Sequence, residues 1–174
     1  MRLKSVEWAA RLEGSAMVRS IAENTPINAY LSFKISVLYR LMVRRTARFL
    51  HGHYGLTVAQ WWALGQLAVR SPGTVSSIAD DTQNDKAQVS RAVAILIQKG
   101  LVRKVTDAKD KRRSLLSLTE RGAALYREVL PIRQKTQELL LAQLTAEEQE
   151  VTIRAIDKLT AMLLEQPEMA VAVE

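Results

Sequence analysis

Residues 86 to 94 carry side chains that suit contact with the edges of base pairs. They are short, amide-bearing or basic, and no residue from Lys86 to Lys99 is acidic. The Gln88 amide can form two hydrogen bonds with adenine, and Arg91 can bind guanine or a phosphate. We therefore expect a DNA-reading group that consists of Lys86, Ala87, Gln88, Ser90 and Arg91. The alternative interpretation is an ordinary helix face exposed to water.

A second basic group follows shortly afterwards in the chain. It contains Lys109, Lys111, Arg112 and Arg113. The narrow minor groove of A·T-rich DNA concentrates negative potential and attracts arginine side chains. Asp110 precedes Arg112 by two residues, and a carboxylate there can hold the guanidinium in an extended position. We expect this segment to enter a minor groove, with Asp110 orienting the arginine rather than facing phosphate.

The positive charge of the chain is concentrated around these two groups. The 174-residue chain has a formal net charge of +7, and the segment 86–113 holds nine basic and two acidic residues. This segment therefore carries a net charge of +7, equal to that of the whole chain, and the rest of the chain has equal numbers of basic and acidic residues. A basic segment on a neutral body is typical of a protein that binds a polyanion.

Two helices are predicted to position the DNA-reading group. Thr74 suits the cap of a short helix over 75–81, and a polar turn at 82–84 leads into a longer helix over 85–99. The longer helix has apolar residues on one face, namely Val89, Val93, Leu96 and Ile97. Because side chains three and four residues apart share a helix face, the DNA-reading group lies on the opposite face.

A hairpin is predicted to carry the second basic group. Gly100 suits the left-handed residue that ends a helix. Short strands over 101–105 and 115–118 then enclose a connection too long and too charged for a tight turn. The sequence therefore predicts a mainly α fold with a small β wing, a winged helix-turn-helix.

Long amphipathic helices are predicted on both sides of this unit. Apolar residues recur every three or four positions from Ile27 to about His53, and capping boxes or caps at Thr57, Thr119 and Thr145 open further helices. One chain of this size cannot cover all these apolar faces, so we expect a two-fold dimer. The predicted division is an N-terminal extension (1–26), a first dimerisation helix (27–55), a winged helix-turn-helix lobe (56–118), C-terminal dimerisation helices (119–166) and a frayed tail (167–174).

The run from Asp107 to Gly122 resembles the wing-and-helix signature of the MarR (multiple antibiotic resistance regulator) family. In that signature an aspartate and an arginine two residues apart precede Leu-Thr-Glu, a basic residue and a glycine. The chain matches in type and spacing at Asp110, Arg112, Leu118, Thr119, Glu120 and Gly122. Val89-Ser90-Arg91 and the later Lys99-Gly100-Leu101-Val102 are similar to the family's recognition helix and its exit. The resemblance covers about residues 30–165.

The resemblance implies a homodimer that binds a pseudo-palindromic operator in double-stranded DNA, usually as a repressor. It also implies release by a small aromatic or anionic effector bound between the DNA-binding lobe and the dimerisation helices. The candidate effector-binding residues are Tyr39, Arg40, Arg44, His51, Trp61 and Trp62. Trp61 also suits plain core packing because it shares a face with Leu64, whereas Trp62 lies off that face.

Composition and motifs argue against several other functions. The chain has no cysteine, which excludes disulfides, thiol catalysis and cysteine-ligated zinc. His51 and His53 would not share a helix face, and no phosphate-binding glycine loop is present, so we expect no metal, no cofactor and no enzyme activity. No stretch approaches the roughly 20 apolar residues of a membrane span, so we expect a cytoplasmic protein. The alternative function is a winged-helix module that binds protein without specific DNA binding.

Overall fold

The computed structural model describes residues 26–106 and 114–165 of the chain. In chain order the elements are a 3-10 turn (Ile27–Ala29), α1 (Leu31–Tyr54), α2 (Val58–Val69), α3 (Val75–Thr82), α4 (Lys86–Gln98), β1 (Val102–Thr106), β2 (Ser114–Leu118), α5 (Glu120–Leu141) and α6 (Ala146–Glu165). The strands form one antiparallel pair. The predicted mainly α fold with a small β wing is confirmed.

Helix boundaries are set by polar caps and by glycine. The side chains of Thr57, Thr74 and Thr119 each accept the backbone N–H three residues later, which satisfies a donor in the first turn. Gly55 and Gly100 have φ values of 60° and 66°, a left-handed conformation that glycine adopts without a Cβ clash. The predicted starts and ends of the helices therefore match the structure to within a few residues.

The described boundaries differ from the predicted ones in small ways. Asp85 precedes α4 rather than belonging to it, because its carboxylate accepts the Gln88 N–H at 2.9 Å and so acts as the N-cap. Thr82 belongs to α3 rather than to the turn. The helical pattern after Thr119 predicts a helix to about Leu144 with a kink at Pro131, whereas α5 continues as one helix through Pro131 and ends at Leu141. The predicted N-terminal extension, wing tip and C-terminal tail fall mostly outside the described residues.

The core lies in the middle of the chain, where α2, α3, α4 and the wing pack together. Its largest fully buried side chains are Leu50, Leu56, Leu64, Leu67, Leu96, Val102, Leu116 and Val129. Leu50 comes from the last turns of α1 and Val129 from the first half of α5. Both flanking helices therefore help to seal the lobe.

The wing and α5 meet at a tight junction. The Thr119 N–H donates to the Leu101 carbonyl at 3.0 Å, and the Thr119 hydroxyl donates to the Gly100 carbonyl at 2.7 Å. Gly122 is buried one turn into α5 and packs directly against the Leu101 backbone. The end of α4 is thereby fixed to the start of α5.

The two ends of the described chain expose large apolar side chains. Helix α6 has no buried residue, and Val151, Ile156, Leu159 and Leu163 are between 37% and 55% exposed. In the first half of α1, Leu31, Ile35 and Leu38 are exposed to a similar extent. The core of the lobe leaves these faces uncovered.

Candidate nucleic-acid interface

Helix α4 has one buried face and one exposed face. Val89, Ala92, Val93 and Leu96 are at most 5% exposed and anchor the helix in the core. The exposed face carries the complete DNA-reading group, Lys86, Ala87, Gln88, Ser90 and Arg91. The structure therefore presents these five side chains together at the first two turns of one helix, where a major groove can receive them.

The turn between α3 and α4 sets the angle of the exposed helix. Gln83 adopts a left-handed conformation with φ 51°, which ends α3 abruptly. The Asn84 N–H reaches back to the Ala79 carbonyl at 3.1 Å, and the Asp85 carboxylate then caps α4. Hydrogen bonds within the turn thus fix α4 relative to α3, as a helix-turn-helix requires.

The wing is built from β1 and β2, in the register Val102 opposite Leu118 and Lys104 opposite Leu116. An isolated bridge joins Leu116 to Gly73, with hydrogen bonds of 2.9 and 2.8 Å in both directions. This bridge attaches the wing to the start of α3. The predicted tip residues Lys109, Asp110, Lys111, Arg112 and Arg113 lie outside the described residues.

Comparison with known proteins identifies the family to which this chain belongs. A MarR-family profile matches residues 54–113, which contain the helix-turn-helix and the first strand of the wing. The transcriptional regulator HosA of Escherichia coli O157:H7 is 30% identical over 122 residues, or 70% of this chain and 90% of HosA. The chain belongs to the MarR family. It is a winged-helix, DNA-binding transcription regulator.

Solved MarR-family structures share the fold. The Staphylococcus aureus MepR–DNA complex superposes with a TM-score of 0.70 at 24% identity, covering 79% of this chain and 99% of MepR. Staphylococcus aureus MarR in complex with salicylate and kanamycin superposes with a TM-score of 0.67 at 25% identity, covering 76% of this chain and 89% of that protein. The first of these binds DNA and the second binds small molecules.

A cavity of about 570 Å³ lies between α2 and α5 in this MarR-family chain. Trp61 and Trp62 both line it and are both half-buried. Trp61 stacks on Tyr126 with ring centroids 5.2 Å apart and an interplanar angle of 24°. The cavity therefore offers flat aromatic surfaces of the kind that hold an aromatic ring.

Arg133 supplies a positive charge to the same cavity. Its guanidinium donates to the Thr46 hydroxyl on α1 at 2.8 Å, and within residues 26–106 and 114–165 it forms no ion pair. Partial burial lowers the pKa of Arg133, but an arginine side chain stays charged at neutral pH. A half-buried cation whose neighbour is a neutral hydroxyl is suited to bind an anionic ligand.

The other predicted effector residues lie elsewhere. Tyr39, Arg40 and Arg44 are on the exposed part of α1 and do not line the tryptophan cavity. His51 lines a separate shallow depression beside Thr57 and Val58. Only Trp61 and Trp62 of the predicted set are therefore brought together.

Sequence reasoning missed Tyr126 and Arg133. Both lie on α5, more than 60 residues from the tryptophans, and no local pattern connects the two segments. Only the packing of α5 on α2 brings them together.

The described residues contain no group of three potential metal ligands. None of the helices described is long and apolar enough to cross a bilayer.

Proposed function

We propose that this protein is a homodimeric repressor that binds a pseudo-palindromic operator and is released from it by a small aromatic anion. The observation that carries the DNA-binding part is the exposed face of α4, which bears Lys86, Gln88 and Arg91 and no acidic side chain. The uncovered apolar faces of α1 and α6 support the dimer, because a second copy would bury them. We propose no enzyme activity, because the relatives of this chain, such as HosA, are transcriptional regulators.

The simplest test of DNA binding separates this function from a winged-helix module that binds protein. The regulator should bind sheared genomic DNA with an affinity that falls steeply with salt, because contacts to phosphate release counterions. A protein-binding module would show no such salt-dependent affinity. Sequencing of the DNA bound in cells would then identify the operator.

Replacement of Gln88 by alanine should change base preference rather than general affinity. Loss of a bidentate contact to a base should cost about 1–3 kcal/mol at one operator position, and the salt slope should stay nearly constant because no charge is removed. Arg112→Ala should instead weaken binding to all sequences and flatten the slope by about one unit. Binding to single-base operator variants across salt concentrations measures both effects. If Gln88→Ala flattened the salt slope and Arg112→Ala changed the base preference, the roles proposed for the helix and the wing would be reversed.

The effector proposal rests on the tryptophan cavity and on Arg133. An aromatic ring can lie against Trp61 and Trp62 while the carboxylate of the ligand pairs with the Arg133 guanidinium. The guanidinium then has a charged partner in place of a neutral hydroxyl. The dimer has one conformation that binds DNA and one that does not. A ligand that binds the second conformation more tightly lowers the affinity for DNA, at most by the ratio of its affinities for the two conformations. Staphylococcus aureus MarR, which binds salicylate, suggests salicylate as a first probe.

Arg133→Met should lower the affinity for salicylate by roughly tenfold, because a charge-assisted hydrogen bond is lost. The affinity for salicylamide, which has the same ring without the charge, should change little. Quenching of tryptophan fluorescence measures both affinities. Arg127→Met is the matched control, since Arg127 is an exposed arginine on the same helix and does not line the cavity. Equal losses in the two variants would contradict the assignment of Arg133.

A further inference from the structure

A cleft of about 570 Å³ separates α4 from the wing. Its polar lining comes from four elements and from the cap of α3. The residues are Ser76 on α3 with its N-cap Thr74, Ser90 on α4, Lys104 on β1 and Ser114 on β2. Its floor is apolar and includes Val93 and Leu116, which are both buried. No acidic residue lines the cleft within the described chain. The cleft thus combines one ammonium group with several hydroxyls at the surface.

The register of the wing determines which basic side chain belongs to the cleft. Lys104 is paired with Leu116, and because side chains alternate between the faces of a strand, both lie on the inner face of the wing. Arg103 is paired with Ser117 on the outer face. Both basic residues are exposed, and of the two only Lys104 lines the cleft. No ion pair among the described residues involves Lys104.

The position of the cleft matters because of the geometry of duplex DNA. In the proposed complex, α4 enters a major groove and the wing enters the adjacent minor groove. Adjacent grooves are separated by one sugar–phosphate strand. With α4 on one side and the wing on the other, that strand must pass over the cleft between them.

We propose that this cleft is a binding site for the DNA phosphodiester that separates the two grooves. Lys104 contributes the charge, and Ser76, Ser90 and Ser114 contribute hydroxyl donors. Lysine and serine are common phosphate contacts, and such contacts fix the register of a protein on DNA without reading sequence. The proposal rests on the proposed function. It assigns a backbone contact to Lys104, Ser76 and Ser114, which lie outside the DNA-reading group and the wing tip, and to Ser90 at the edge of that group.

The test compares Lys104→Ala with Arg103→Ala, which each remove one positive charge from neighbouring positions of the same strand. The probe is a duplex that the parent protein selects from a random-sequence pool. Lys104→Ala should lower affinity about tenfold and flatten the salt slope by about one unit, with unchanged base preference. Arg103→Ala should stay within about twofold, because Arg103 lies on the outer face of the wing and does not line the cleft, and salt screens exposed charges that are not in direct contact. Lys104→Arg should recover most of the loss.

A chemical counterpart locates the contact on the DNA. Replacement of single phosphates by neutral methylphosphonates should weaken binding of the parent at the phosphate between the two grooves, and the same replacement should have no effect on Lys104→Ala. If Lys104→Ala and Arg103→Ala lose affinity equally, or if no methylphosphonate position loses its effect in Lys104→Ala, the cleft assignment is overturned while the proposed function stands. If the parent shows no salt-dependent affinity for any duplex, the proposed function itself fails.

Discussion

Replacement of Gly122 by alanine should strongly destabilise the folded protein, although it adds only one methyl group. A Cβ at this position would overlap the Leu101 carbonyl oxygen and lie 2.9 Å from its carbonyl carbon. Both are backbone atoms held by the hydrogen bonds from Thr119 and to Leu96, so they cannot move aside like the end of a side chain. We expect a loss of about 3 kcal/mol or more in the free energy of unfolding.

Thermal and urea unfolding followed by circular dichroism measure this loss, which should lower Tm by roughly 6–12 °C. Gly52→Ala is the matched control, because Gly52 lies inside α1 and a Cβ there meets nothing within 4 Å. Alanine in a helix interior is favoured over glycine by about 0.5–1 kcal/mol, so the control should be neutral or more stable. Equal stability of the two variants would show that the junction between wing and α5 is not rigid.

Leu159→Glu should separate the dimer and thereby abolish tight operator binding. Leu159 lies in the exposed apolar stripe of α6. Because a two-fold dimer contains the substitution once in each subunit, two carboxylates would be buried in one apolar interface. The mass in solution at micromolar concentration should fall from about twice the 19.5 kDa chain mass to that of the chain. Affinity for a two-half-site operator should fall by roughly 100-fold, because binding to the second half-site is no longer intramolecular.

Ala161→Glu is the control for this prediction. Residue 161 is two positions from Leu159, about 200° around the helix, so the same charge is added on the opposite face. Analytical ultracentrifugation and operator titration should find this variant like the parent. A parent that sediments as a monomer would contradict the dimer and the palindromic operator together.

The described elements show how much of the fold was predictable from the sequence. The side chains of Thr57, Thr74 and Thr119 cap the helices they were predicted to open, and Gly100 takes its predicted left-handed conformation. These features depend on hydrogen bonds and steric limits within a few residues of one another. Local sequence therefore contains their full cause, and the exposed face of α4 follows in the same way from helical periodicity.

The sequence by itself thus determined the elements, their order and the side chains that α4 presents. Tertiary structure alone decided which distant residues share a cavity. It brought Tyr126 and Arg133 to the tryptophans, and left Arg40 and Arg44 outside that cavity. It also paired Lys104 with Leu116 and thereby placed this lysine, rather than Arg103, in the cleft beside α4. The physical reason is that packing between elements and strand register depend on contacts across tens of residues, which no local periodicity specifies.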